Sequence, residues 1–276
     1  MRVFLNGKFV PEQEAVVSVF DRCFTLGDGL FEALPVYRGK IFLWQEHLER
    51  LLTGANFLKI RIPFSPLELH EFAERLLSEN RAGDCILRIH LSRGVGQRGY
   101  SIKGANSPTL VMSLHPAVKD LAAAKIITST VCILADDPMT RFKASNKLPQ
   151  ILARMEADEQ GADEALLLNS NGDIAEATSA NLFWMEGQTV CTPPINSSAL
   201  PGVTRDCVLN LCRDLKIPSE QKNITPKRLP NADGVFLTSV AVEIREVSHL
   251  DGFELRRSPI PRRLREAYLN YAQSAN

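Results

Sequence analysis

Apolar residues along the chain switch between alternation and helical spacing, and the switches mark its elements. Val3-Phe4-Leu5 and Phe9-Val10 flank Asn6-Gly7, a pair suited to a type I′ turn, so the chain should open on a hairpin. A second hairpin is predicted where LFEALPVY and KIFLW flank Arg38-Gly39. Leu48, Leu51, Leu52, Ala55 and Leu58 then recur at helical spacing, and Ser65-Pro66-Leu67-Glu68 reads as a capping box opening another helix. CILRIHLS and TLVMSLH read as strands.

After a weakly patterned stretch, IITSTVCIL predicts a strand, followed by a helix with Leu148, Ile151, Leu152 and Met155 in one apolar stripe. EALLLN and IAEATSANLFWM should be strands joined at Asn171-Gly172, with a short strand near Val190 and a helix from about Arg205. GVFLTSVAVEI is expected as one strand, and a last helix should start at Ser258-Pro259. Strands and helices mix without strict βαβ alternation, which predicts an α+β fold in two lobes. The boundaries are a smaller N-terminal domain over 1–115, a linker over 116–124 and a larger C-terminal domain over 125–276.

Composition narrows the function classes. Thirty-two basic residues balance thirty-two acidic ones, so no net field favours nucleic acid or an anionic membrane. MRVFLNGKFV lacks the apolar core of a signal peptide and no apolar run approaches membrane-spanning length, so a cytoplasmic location is expected. The six cysteines form no CxxC pair and are read as reduced core residues. The histidines show no metal-ligand spacing, so no metal site is expected.

One motif misleads. Gly94-Val95-Gly96-Gln97-Arg98-Gly99 matches the dinucleotide fingerprint GxGxxG. That motif needs a helix directly after it to hold the pyrophosphate, and here the chain runs on into another strand. The dinucleotide reading is rejected.

The chemistry lies further along. Lys143-Ala-Ser-Asn146-Lys-Leu148 is followed by Glu176-Ala-Thr-Ser179-Ala-Asn181-Leu182-Phe183 and then by Leu200-Pro-Gly202-Val203-Thr204-Arg205. Taken singly, each residue could be a solvated lysine, an edge-strand carboxylate or an ordinary helix-capping threonine. In this order they resemble the class IV aminotransferase family, whose patterns are K-x-x-N-x-L, E-x-x-x-x-N-[LV]-F and L-x-G-[IV]-T-R. The resemblance runs along nearly the whole chain. It implies fold-type IV, like D-amino-acid aminotransferases, and pyridoxal 5′-phosphate as cofactor, held mainly by the C-terminal domain. It also implies a homodimer acting on a small molecule.

By that resemblance Lys143 forms the covalent link to the cofactor aldehyde and shuttles protons, with Lys147 its neighbouring rival. Glu176 keeps the pyridine nitrogen protonated, Leu200 packs on the ring, and Ser179 and Asn181 border the cofactor. Val203 and Thr204 bind the phosphate at a helix N-terminus, where backbone amides and the helix dipole suit an anion. Arg50, in His47-Leu-Glu-Arg50-Leu, is expected at the phosphate too. The family often has threonine at the positions of Val240 and Ala241, so any phosphate contact there must come from backbone amides.

Phe31, Arg88, Arg98 and Tyr100 are implied on the substrate side. Ser92-Arg93-Gly94-Val-Gly96-Gln-Arg98-Gly99-Tyr100-Ser101 is similar to the S-R-G-x-G-x-R-G-Y-S of 4-amino-4-deoxychorismate lyases. That substrate carries two carboxylates, which Arg88 and Arg98 could each pair. The reading that follows is a lyase releasing pyruvate and 4-aminobenzoate in folate synthesis. The alternative is a branched-chain or D-amino-acid transaminase using 2-oxoglutarate, favoured by Pro35 and by the stretch from Thr192 to Arg205.

Overall fold

In the computed structural model, which describes residues 1–118 and 122–274, the chain divides into two compact units. The first comprises Met1–Ala117 together with Phe142–Asn146; the second comprises Val118–Arg141 and Lys147–Ser274. The lysine-bearing segment, expected with the C-terminal domain, therefore packs with the N-terminal unit. Part of the expected linker, residues 119–121, and the last two residues of the terminal domain lie outside the described residues.

The N-terminal unit is one six-stranded sheet with helices. Its strands are β1 (Arg2–Leu5), β2 (Lys8–Pro11), β3 (Gly29–Tyr37), β4 (Lys40–Ile41), β5 (Cys85–Ser92) and β6 (Thr109–Pro116), in the order β2-β1-β6-β5-β3-β4. The opening hairpin forms as expected, with φ of 48° at Asn6 and 88° at Gly7, which a type I′ turn requires. The second hairpin is shorter than predicted. Leu43 adopts φ 54° and caps helix α2 (Trp44–Leu58), so the chain leaves the sheet after Ile41; the short helix α1 (Arg22–Leu26) precedes β3. Ser65 and Glu68 make the reciprocal capping box of helix α3 (Pro66–Glu79). Leu48, Leu51 and Ala55 from α2 and Leu69, Ala73 and Leu76 from α3 join Leu34, Leu87, Ile89 and Met112 of the sheet in one core.

The second unit is built on a nine-stranded sheet. Its strands are β7 (Ala124–Ile133), β8 (Glu164–Asn169), β9 (Ile174–Ala177), β10 (Asn181–Glu186), β11 (Thr189–Thr192), β12 (Ser219–Gln221), β13 (Val235–Ser239), β14 (Glu243–Leu250) and β15 (Phe253–Glu254). The order is β12-β11-β10-β13-β14-β7-β8-β9, with β15 on β14. Helices α4 (Leu148–Glu159), α5 (Val203–Asp214) and α6 (Ile260–Ser274) complete it.

Two expectations about these elements are corrected, and packing decides the facing of α4. IAEATSANLFWM breaks at Thr178, where the Ala177 amide donates to the Ala180 carbonyl and the Thr178 amide to the Glu164 carboxylate at 3.0 Å. GVFLTSVAVEI is a hairpin, because Val240–Val242 turn and Glu243 takes φ 54°. The apolar stripe of α4 does not face the core of its unit. Ala153 and Ala157 do, while Leu148, Ile151, Leu152 and Met155 are exposed. Cys132 is likewise exposed, contrary to its reading as a core residue.

Candidate active site

Each unit presents its own set of the residues that the motifs point to. In the N-terminal unit, Phe142–Asn146 docks against the start of β3 through an isolated antiparallel bridge between Ala144 and Leu30. The Phe31 amide donates to the Lys143 carbonyl and the Ser145 amide to the Gly29 carbonyl, both at 2.9 Å. Phe142, 2% exposed, anchors the segment against Gly54 of α2, where a Cβ would come within 2.9 Å of the Phe142 Cβ. Lys143 is thus fixed by its backbone while its amine stands over the Phe31 ring, with Nζ 4.9 Å from the centroid. Lys147, the rival, is the N-cap residue of α4 in the other unit.

The same ring carries Arg88, whose Cζ lies 4.7 Å from the centroid, and stacks on His90 at 5.6 Å. Alternation on β5 puts Arg88 and His90 on one face, and β3–β5 pairing sets Phe31 opposite His90. Arg88 is half-buried, and its Nε is buried without a hydrogen-bond partner among the described residues. Burial, the neighbouring Arg88 charge and His115 lower the His90 pKa to about 4, so His90 is neutral near pH 7.

On the opposite face of β3, Glu32 is 1% exposed. It accepts Arg50 Nε at 2.7 Å and Nη2 at 2.8 Å, and His47 Nδ1 at 2.8 Å. Burial alone would raise this carboxyl, but the Arg50 charge and the hydrogen bonds from Arg50 and His47 outweigh it and bring the pKa to about 2. Burial lowers the His47 pKa despite Glu32, so their contact is a neutral imidazole donating to a carboxylate. Arg50 is therefore aimed by a bidentate carboxylate that sequence reasoning passed over. The available signal was a glutamate inside an otherwise apolar strand.

In the second unit, Glu176 lies on β9, 9% exposed, and its Oε2 accepts the Leu200 amide at 2.9 Å. Asn181, first residue of β10, donates from Nδ2 to the Leu200 carbonyl at 2.9 Å. Leu200 is thereby gripped at both ends by the two motif residues. A Cβ on Gly202 would meet Asn181 Oδ1 at 2.0 Å, so only glycine fits between them. Val203 and Thr204, both buried, then start α5, whose N-cap Gly202 supplies no side chain to its amides. Val240 and Ala241 lie in the β13–β14 turn.

Two hydroxyls of the second unit have distinct settings. Ser179 binds Glu164, which also accepts the Thr178 hydroxyl and amide, so Ser179 helps hold the turn between Glu176 and Asn181. Thr238, buried on β13, has an Oγ1 without a hydrogen-bond partner among the described residues, and the motifs had given it no role. Arg98 and Tyr100 lie exposed on the β5–β6 connection of the N-terminal unit.

The glycines of the rejected dinucleotide motif have a local cause. At Gly94 φ is 85° and a Cβ would clash with the Ser107 carbonyl oxygen at 1.8 Å. At Gly96 a Cβ would meet Arg22 Cδ at 2.7 Å, so these two glycines allow close chain crossing.

The model of the amino-transferase class IV family matches residues 29–250, and the chain belongs to that family of pyridoxal-phosphate enzymes. A protein of Methanocaldococcus jannaschii, provisionally named a branched-chain-amino-acid aminotransferase, is 34% identical over 91% of this chain and 88% of its own length. D-alanine aminotransferase of Staphylococcus aureus is 30% identical over 99% and 98%. Among solved structures, the branched-chain amino acid aminotransferase of Escherichia coli superposes with a TM-score of 0.93 at 27% identity, covering 98% of this chain and 94% of that one. A Legionella pneumophila structure, provisionally named 4-amino-4-deoxychorismate lyase, gives 0.89 at 29%, covering 95% and 97%. The family and the fold-type IV architecture are as the motifs implied, but the reaction favoured by the sequence, the lyase, has weaker support among these relatives than the transaminase.

Proposed function

We propose that the protein is a pyridoxal-phosphate-dependent amino-acid transaminase of the branched-chain or D-amino-acid type, with Lys143 as the catalytic lysine. One observation supports a carboxylate-bearing amino substrate beside the lysine: the Lys143 amine and the Arg88 guanidinium stand over the same Phe31 ring, at 4.9 and 4.7 Å, and the aminotransferase relatives favour amino transfer on it. Arg88 is a half-buried cation whose Nε has no hydrogen-bond partner among the described residues. Such a charge is costly unless paired, and a substrate carboxylate would pair it.

The donors fit the cofactor. An α5 N-terminus without a side-chain cap, the buried Thr204 and the unpartnered Thr238 hydroxyl form an anion-binding donor set, and Glu176 is held in place by the Leu200 amide. When bound, the cofactor would supply an electron sink. Lys143 would hold it covalently and, once displaced by the substrate amine, would take the substrate α-proton on its own amine. Glu176 would hold the pyridine proton, with Asn181 fixing Leu200 beside it. Val203, Thr204, Arg50 and the turn amides of Val240 and Ala241 would hold the phosphate, while Phe31, Arg88, Arg98 and Tyr100 would bind substrate.

We also infer a homodimer. The α4 stripe and the exposed Val16, Phe20 and Phe24 leave large apolar side chains in water, as an interface would. Sedimentation showing an active monomer would refute this.

The test of the reaction is to add single amino acids to the purified holoenzyme. Conversion to the pyridoxamine form, with turnover only when 2-oxoglutarate is supplied, is expected. A second reading, 4-amino-4-deoxychorismate lyase, is favoured by the loop Ser92–Ser101 and the Legionella likeness. Release of pyruvate and 4-aminobenzoate without an acceptor would establish it in place of the first.

A further inference from the structure

The segment bearing Arg98 and Tyr100 is exposed, Tyr100 at 88%, yet its backbone is tied from below. Arg22, the first residue of α1 and 5% exposed, donates from Nη1 to the Gly99 and Ser101 carbonyls at 3.0 and 3.2 Å. Its Nη2 donates to the Tyr100 carbonyl at 3.3 Å. Three successive carbonyls converge on one guanidinium. Its Nε is fixed by Asp28 at 2.7 Å. Asp28 is gripped in turn by Arg93, at 2.8 and 2.9 Å, and Arg93 also donates to the Leu58 and Lys59 carbonyls. The Arg22 stem passes beneath Gly96, where a Cβ would lie 2.7 Å from its Cδ.

An exposed connection without its own core would sample many backbone states. Here a planar fork, braced on a carboxylate, fixes the carbonyls of three neighbouring residues, which a lysine ammonium could not match. With those carbonyls turned inward, the side chains of Arg98 and Tyr100 are presented outward from a set backbone.

We propose that Arg22 is a positioning residue for substrate recognition, fixing Gly99–Ser101 so that Arg98 and Tyr100 meet the substrate carboxylate. This rests on the reading of Arg98 and Tyr100 as substrate-facing residues. Neither the family motifs nor the exposure of the loop assigns Arg22 that task.

The test compares holoenzymes of wild type, Arg22→Gln, Arg22→Lys, Arg98→Ala and the Arg22→Gln/Arg98→Ala double variant. Steady-state kinetics with the preferred amino substrate is measured alongside hydrogen exchange of residues 98–103. Arg22→Gln should raise KM about tenfold with kcat within about twofold, accelerate exchange in the loop and leave the cofactor absorbance unchanged. Arg22→Lys should fall between it and wild type, and it carries the comparison if the glutamine variant does not fold. The loss in the double variant should be clearly smaller than the combined losses of the two single variants, because Arg22 acts partly through Arg98 and only the remainder through Tyr100. An unchanged KM in a folded Arg22 variant, or independent additive effects, overturns the proposal while leaving Arg98 in the site. A normal KM in Arg98→Ala instead removes the reading on which the proposal rests.

Discussion

Replacing Glu32 with glutamine should remove a stabilisation that is itself pH-dependent. Glu32 is buried on β3 and takes two hydrogen bonds from Arg50 and one from His47. Its pKa falls from the ordinary 4.5 to about 2, which corresponds to about 3 kcal/mol in favour of the charged form. Because the folded state binds this proton less tightly than the unfolded chain, the contribution is full above about pH 4.5. It is lost as pH falls from there toward 2. Glutamine keeps the shape but leaves the Arg50 guanidinium without its counter-charge, so the loss near neutrality should be about 3–5 kcal/mol. Urea unfolding of wild type and Glu32→Gln at about pH 7, 5.5, 4 and 3 reads the difference directly, since other titrating groups cancel between the two. The gap should hold from pH 7 to about 5 and narrow below it. A gap that stays constant down to about pH 3, or one under about 1 kcal/mol at pH 7, would show that the Arg50–Glu32–His47 cluster is not the coupled unit described.

Lys143→Ala should lose the visible band of the bound cofactor and all turnover, whereas Lys147→Ala should keep both; the reverse pattern by absorbance would reassign the lysine. Glu176→Gln should retain cofactor but lose most activity, because a neutral amide cannot hold the pyridine proton; near-normal kcat would remove Glu176 from the mechanism. Gly202→Ala should cost about 1–3 kcal/mol, since its Cβ would strike Asn181 Oδ1 at 2.0 Å. Weakened cofactor retention on dialysis should accompany that loss, and wild-type retention would refute the tight packing. His90→Gln should flatten the fall of stability between about pH 6.5 and 4, because a depressed histidine pKa means that the unfolded chain takes up the proton first. An unchanged slope by urea titration would refute the burial of a neutral His90.

Sequence alone determined what depends on a few neighbouring residues. Asn6-Gly7 forces a hairpin because both positions take positive φ, and Ser65–Glu68 closes its capping box within one helical turn. The ends of β5 and β8 coincide with the patterned runs CILRIHLS and EALLLN. The family was legible from the order of the Lys143, Glu176 and Gly202–Thr204 motifs along the chain. Tertiary structure decided the facings and the long-range partners. Periodicity shows that α4 has an apolar stripe, but only the packing reveals that Ala153 and Ala157 meet the sheet while the stripe looks outward. A run of apolar residues cannot disclose the turn at Val240–Val242, because both arms satisfy the same alternation. The docking of Phe142–Asn146 beside β3, and the meeting of Glu32 with Arg50 and of Arg22 with the carbonyls of Gly99–Ser101, join residues far apart in the chain. Local pattern carries no record of such pairs, because their stability comes from burial and charge pairing that exist only once the chain is folded.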